Sequence, residues 1–305
     1  MKKVLYNSQV ELMLKLLPIV ADETCFALKG GTAINFFIRD LPRLSVDIDL
    51  TYVSLEDRDT TGKNITKALS NISRGIESKY SNTQVKQTVF DKEQFINRLI
   101  VTNNGVRVKI EPNYVLRGAV YKTQIAVTAQ KVKQIYNAEA KMKLLSIADL
   151  YGGKLCAMLD RQHPRDIFDI KILMEHEGLT DEIRKAFVVY LASSNRPVVE
   201  LLDPIKQDIT NIFNENFYGM TFNDVTIDEL IAVREKVIKQ INDELTNNER
   251  KFLLSIKQGV PDFNLINIDG IDLLPGIKWK LRNINNMPTA KQKEAVEKLR
   301  KVLKL

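Results

Sequence analysis

Hydrophobic and polar positions give the chain two textures. Up to about residue 137, short alternating apolar runs are broken by turn signals; beyond it, strand signals nearly vanish and apolar residues recur at helical spacing. In the first stretch Val10, Leu14, Leu17 and Val20 lie near helical spacing, and Ser8 is placed to cap a helix over 9–21. Phe26, Ala27 and Leu28 read as a short strand running into Gly30-Gly31, followed by a helix over 32–38 that Leu41-Pro42 closes. Residues 46–53 alternate as a strand, with Asp47, Asp49 and Thr51 on one face and Val46, Ile48 and Leu50 on the other. A helix over 62–79 carries Ile65, Leu69, Ile72 and Ile76 along one side. From 85 to 115 the texture is β, and Asn103-Asn104-Gly105 predicts a hairpin between strands at 95–102 and 106–112. The second of these strands sets Val106, Val108 and Ile110 against Arg107, Lys109 and Glu111.

Helices are expected near 147–160, 164–176, 180–192, 197–213, 226–244, 247–257 and 289–303, with irregular structure over 261–286. The predicted fold is therefore α+β: a core of mixed β-sheet with flanking helices over 1–137, then a mainly helical domain over 138–305 with a basic C-terminal segment.

Composition narrows the chemistry. With 305 residues, 44% of them hydrophobic and 27% charged, the chain can bury a substantial core and is not of disordered composition. Cys25 and Cys156 lie far apart without metal-ligand spacing, and only His163 and His176 supply imidazoles, so zinc, disulfide and histidine-based hydrolytic chemistry are disfavoured. Carboxylates must do the work. The apolar run at 16–21 is too short for a signal h-region or a membrane span, which leads us to expect a cytoplasmic protein with no membrane association. The formal net charge is +7, and residues 278–305 alone, with nine Lys and Arg against Glu294 and Glu297, carry an equal excess. A basic end of that kind suits a polyanion such as RNA, although a solvated terminal helix would look the same.

Asp47 and Asp49 project from one face of a strand with Cα atoms about 6–7 Å apart, a spacing that can seat two magnesium ions for in-line phosphoryl displacement. An Asp-x-Asp pair alone is weak, because it also arises by chance and in metal-dependent glycosyltransferases. Gly30-Gly31 between a strand and a helix adds a turn whose backbone N–H groups can approach a triphosphate, or is simply a tight turn. Glu111, on a polar strand face, is a candidate third carboxylate or a surface partner of Lys109 or Arg107. Ser146 and Asp149 form a capping-box-like helix start that puts Lys154, otherwise a surface lysine, on the helix beginning there; Asp166 and Asp169 share a side of the next helix, where helix capping or an ion pair with Lys154 or Arg165 is the structural alternative for Asp166. Glycine turn, Asp-x-Asp strand and later acidic strand, in that order, favour nucleotidyl transfer.

The stretch Leu28-Lys29-Gly30-Gly31-Thr32-Ala33-Ile34 with Arg43-Leu44-Ser45-Val46-Asp47-Ile48-Asp49-Leu50 resembles the AbiEii/AbiGii toxin family of the DNA polymerase β-like nucleotidyltransferase superfamily. Val108-Lys109-Ile110-Glu111 is similar to its third acidic motif. Asp149 to Leu155 and Arg165-Asp166-Ile167-Phe168-Asp169 are similar to its fourth, and Phe252 to Ser255 and Leu274 to Asn283 to its C-terminal region. The gap between Gly31 and Asp47 is longer than the general superfamily pattern, which leaves the loop at 39–43 without an explanation. The resemblance implies a polymerase-β-like core, catalytic residues Asp47, Asp49, Glu111, Lys154 and Asp166, nucleotide contacts from Gly30, Gly31, Thr32, Ser45 and Lys154, and magnesium on Asp47, Asp49 and Glu111. It further implies the toxin of a type IV-like toxin–antitoxin or phage-defence (abortive infection) pair with a separately encoded AbiEi-type antitoxin, moving a nucleotide from an NTP to an RNA acceptor, a tRNA 3′ end. Nucleotidylation of a protein or small molecule, or a non-catalytic NTP-binding toxin, are the alternative readings.

Overall fold

A computed structural model describes residues 2–90, 92 and 94–305, with side chains from residue 4. Its contacts divide the chain into two units, one formed by Met1–Ser146 and Gly219–Asp224, the other by Ile147–Tyr218 and Val225–Leu305. Together they make an α+β protein.

The first unit is built on a mixed seven-stranded sheet ordered β3-β4-β5-β2-β1-β7-β6. Its strands are β1 (Phe26–Lys29), β2 (Asp47–Tyr52), β3 (Thr83–Val89), β4 (Ile96–Asn103), β5 (Val106–Asn113), β6 (Gln124–Val127) and β7 (Lys141–Leu144). The hairpin between β4 and β5 turns on Asn104 (φ 46) and Gly105 (φ 80), the left-handed pair that a two-residue turn requires. β2 runs antiparallel to β1 and parallel to β5, and so lies inside the sheet. β6, before residue 137, and β7, beyond it where strand signals nearly vanish, were not expected; four residues each, they are too short to establish a period of two.

Helix α1 (Lys2–Ala21) begins well before the expected cap. Ser8 lies inside it, its hydroxyl donating back to the Val4 carbonyl at 3.2 Å, so the capping role predicted for Ser8 is wrong. Val4–Ala21 is long and apolar enough to cross a membrane by length and composition. In this fold Val10, Met13, Leu16, Leu17 and Val20 are fully buried and the helix packs on β2, β5, β7 and α3 (Arg58–Lys79), as a core helix does. Asp57 caps α3 by accepting from the Asp59 and Thr60 N–H groups.

The second unit is helical. α5 (Ile147–Arg161), α6 (Pro164–Glu175), α7 (Asp181–Ser193), α10 (Ile227–Glu244), α11 (Asn247–Gln258) and α13 (Thr289–Leu303) fall where periodicity places them. The helix expected over 197–213 is instead two, α8 (Val198–Leu202) and α9 (Thr210–Asn216), interrupted where Pro204 removes a donor. Within the stretch expected to be irregular stands α12 (Pro275–Asn285), with Pro275 in its first turn, where a missing N–H costs nothing. In the first unit, α2 (Gly30–Ala33) and α4 (Gln130–Tyr136) complete the set.

Candidate active site

The sheet brings together residues far apart in sequence. Asp49 pairs in register with Lys29 of β1 on one side and with Glu111 of β5 on the other, and Asp47 pairs with Lys109. Neighbouring strands lie about 4.8 Å apart, so Asp49 and Glu111 are immediate cross-strand neighbours. Ile48 and Leu50, between and beyond the aspartates, are fully buried, while Asp47 and Asp49 are half-exposed on the opposite face. Alternation thus holds two carboxylates out of the core.

Gly30 is the residue on which this face depends most directly. It has φ +71, and a Cβ there would lie 2.6 Å from Asp49 Oδ2, so only glycine lets the turn rest against that carboxylate. Gly31 is required for another reason: a Cβ there would stand 2.6 Å from Arg43 Nη2 and 3.0 Å from Ser45 Oγ. Its contact is with protein side chains below the turn. Thr32 and Ser45 are also nearly fully buried; the Thr32 hydroxyl donates to the Asp47 carbonyl at 2.5 Å and lies 3.0 Å from Ser45 Oγ. These two residues tie the turn to the start of β2.

Arg43, named in the motif but given no role from sequence, is 1% exposed. Its Nη1 donates to the Leu44 carbonyl at 2.8 Å. The loop that carries it is clasped by the segment Gly219–Asp224: Arg43 bridges Thr221, Leu44 N–H donates to the Met220 carbonyl at 2.7 Å, and Phe222 N–H to the Pro42 carbonyl at 3.2 Å. Lys131 sits 4.4 Å from the centre of the Phe222 ring. The long gap between Gly31 and Asp47 is therefore the loop that receives this clasp. No sequence signal marks the partnership, because its members are separated by the length of several helices. Arg43→Met is expected to lower stability by about 1–3 kcal/mol, because the buried Leu44 carbonyl loses its donor. Thermal unfolding measures this, and an unchanged midpoint would contradict it.

The helix after Gly30-Gly31 also changes character: residues Ile34–Ile38 form a π-helical turn in which Arg39 N–H reaches back to the Ile34 carbonyl. Asn35 Nδ2 donates to the Gly31 carbonyl at 2.9 Å, giving the turn's own backbone a side-chain partner.

Glu111 carries an ion pair with Arg98 of β4, not with Lys109 or Arg107. Among the described residues no group of three or more His, Cys, Asp or Glu is gathered to hold a metal ion. The donors present do suit magnesium. Two adjacent carboxylates supply hard oxygen ligands, and magnesium is usually held by one or two carboxylates with substrate phosphates and water completing its shell.

In the second unit, Lys154, Asp166 and Asp169 come together, which is the ion pair held open as the structural alternative for Asp166. Lys154 Nζ lies 2.9 Å from Asp166 Oδ1 and 3.1 Å from Asp169 Oδ2, all three side chains being nearly or fully buried. Arg161 closes the other side of Asp166 at 2.6 Å. Burial alone would raise the Asp166 pKa, but Lys154 and Arg161 outweigh it and hold the carboxyl well below the ordinary range. Asp149 accepts from the Tyr190 hydroxyl at 2.9 Å. Gly152 of the Gly152-Gly153 pair serves packing: a Cβ there would lie 2.7 Å from the Phe187 backbone nitrogen, so it allows α5 and α7 to touch backbone to backbone. Burial first, and Glu23 second, push the Cys25 thiol up to about 11, which leaves it a poor nucleophile.

A half-exposed carboxylate pair on an inner strand, flanked by a glycine turn in a mixed sheet, is the arrangement of a nucleotidyltransferase core. The sequence profile described as "Nucleotidyl transferase AbiEii toxin, Type IV TA system" matches residues 11–283, and the chain belongs to that family. Its fold is similar to that of MenT4, a nucleotidyltransferase toxin from Mycobacterium tuberculosis, with a TM-score of 0.60 over 92% of each chain at 14% identity. No curated protein matches the chain by sequence. Membership makes the chain a nucleotidyltransferase toxin of a type IV toxin–antitoxin system, which implies a nucleoside triphosphate substrate and an antitoxin partner.

Gly30→Ala is expected to reduce transfer by roughly 10²-fold, because it shifts the Asp49 carboxylate by about an ångström. The positive φ itself costs only about 1–2 kcal/mol. Comparing turnover with the melting temperature tests this: equal turnover would free Asp49 from the turn.

Proposed function

We propose that this toxin is a magnesium-dependent, cytoplasmic enzyme that transfers a nucleoside monophosphate from an NTP to an RNA acceptor, the 3′ end of a tRNA, within a phage-defence pair completed by an AbiEi-type antitoxin. The observation that carries the reading is the setting of Asp47 and Asp49 on one strand face with Gly30 packed against the Asp49 carboxylate.

Asp47 and Asp49 would hold magnesium, which supplies positive charge to the triphosphate when bound. The Gly30-Gly31 turn, anchored from below by Thr32, Ser45 and Arg43, offers backbone N–H groups to the phosphates. The acceptor hydroxyl oxygen forms its bond to the α-phosphorus as the α–β phosphoanhydride bond breaks and pyrophosphate leaves. Glu111, released from Arg98, takes the hydroxyl proton. The resemblance assigns Lys154 and Asp166 to the reaction, Lys154 as a cation that would offset charge growing on the departing pyrophosphate. Lys154→Ala then lowers turnover by roughly 10²–10³-fold.

Incubation of the purified protein with each labelled NTP and total RNA tests the proposal. Label in tRNA-sized product with release of pyrophosphate is the expected result. Label in a protein or small molecule would replace the acceptor, and no transfer with any NTP would replace catalysis by nucleotide binding.

A further inference from the structure

We infer that the outward face of α12 around Trp279 is a seat for single-stranded RNA, with a base stacked on the indole and neighbouring phosphates held by Lys278, Arg282 and Lys291. This rests on the RNA-acceptor reading and names where that acceptor is gripped.

α12 buries Ile277, Lys280 and Ile284, and so turns Lys278, Trp279, Arg282 and Asn283 outward. Trp279 is the chain's only tryptophan, and it is 37% exposed. A large aromatic left partly in water presents an indole face that is a ready platform for any base. Trp279, Arg282, Asn283 and Asn286 follow helical spacing, which puts a guanidinium and two amides beside the ring.

The charges separate this face from an ordinary solvated helix. α12 has three basic residues and no acidic one. Lys278, Arg282 and Lys291 form no ion pair with a carboxylate among the described residues, whereas on α13 Lys298 pairs with Glu294 at 2.6 Å and Arg300 with Glu297 at 3.7 Å. Lys293, Lys301 and Lys304 form no such pair among the described residues either, and what sets α12 apart is the exposed ring standing between Lys278 and Arg282. Beneath the face, Lys280 Nζ donates to the Ser194 and Arg196 carbonyls at 2.6 and 3.1 Å. Burial, with Lys257 adding to it, pushes its pKa down to about 8; burial and then Lys291 lower that of Lys257. Cations crowded in this way gain when a phosphate joins them.

Because no other tryptophan exists, selectively excited emission from the full-length protein reports this face alone. A short unstructured oligoribonucleotide is titrated while emission and the anisotropy of labelled RNA are followed together, with inorganic polyphosphate and polyglutamate as base-free polyanions. Quenching that saturates with the anisotropy change, and is absent with either polyanion, is the expected result. Trp279→Ala should weaken RNA binding about 5- to 150-fold, with Trp279→Phe restoring most of it. Arg282→Gln should reduce the salt slope by about one. RNA that binds without quenching, or equal binding by Trp279→Ala, overturns the seat and leaves the RNA acceptor standing. Equal quenching by either polyanion overturns base stacking and assigns the face to anions at large. Absence of RNA binding overturns both readings.

Discussion

Asp49→Asn is expected to abolish nucleotidyl transfer, by at least about 10²–10³-fold, while leaving the protein folded. The amide keeps the size of the side chain and its clearance from Gly30 but removes the charge, and with it the affinity of a hard oxygen ligand for magnesium. Asp49 is half-buried on the strand face opposite the buried Ile48 and Leu50, and an isosteric amide keeps its contact with the glycine turn. Asp47→Asn should behave alike, because alternation places it on the same face. Pyrophosphate release and circular dichroism on the two variants measure both halves of the expectation. A variant retaining near-wild-type turnover with magnesium would remove that aspartate from the site. Toxicity that survives loss of both charges would assign the biological effect to binding alone.

Asp166→Asn is expected to cost about 3–5 kcal/mol of stability, since it leaves Lys154 buried with one carboxylate fewer. The same group gives a pH signature. Its folded pKa is depressed, so its contribution is fully present above the unfolded value near 4 and is lost as the pH falls below it toward the folded value. The wild type should therefore lose stability below about pH 4 more steeply than Asp166→Asn, with the two curves parallel above it. Denaturant midpoints at several pH values measure the difference, and curves parallel throughout would mean that Asp166 is not charged in the fold. Lys154→Ala has a double readout. Removal of a merely structural cation moves the midpoint, and removal of a reaction partner also lowers turnover at a temperature where the variant is folded.

Much of the fold was legible because its signals are local. The alternation that places Asp47 and Asp49 on one face of β2, the Asn104-Gly105 turn, and the periodic helices from α5 to α7 each depend on residues within a few positions of one another. What escaped depends on distant partners or on short elements. β6 and β7 have too few residues to show a period, and α12 stands within 261–286, the stretch expected to be irregular, with Pro275 opening it. The glycines were seen but understood in part. Gly30 does face an aspartate, while Gly31 makes room for Arg43, and Gly152 for the backbone of α7. The ion pair of Lys154 with Asp166 was legible only as one alternative beside helix capping and Arg165; its burial, and Arg161 as a further partner, are tertiary facts that no spacing announces.

The clasp at Gly219–Asp224 has a consequence for the order of events in the cell. The first unit is not finished when its own sheet has been synthesised, because the strip that holds Pro42, Arg43 and Leu44 follows only after α5 to α9 have been made. At about 5–20 residues per second, the interval is on the order of ten seconds. During it, a ribosome-bound chain has its aspartate pair and glycine turn but lacks the support under Arg43. A nascent chain, or one terminated before residue 219, therefore has its sheet but not the strip that secures the loop at Pro42, Arg43 and Leu44.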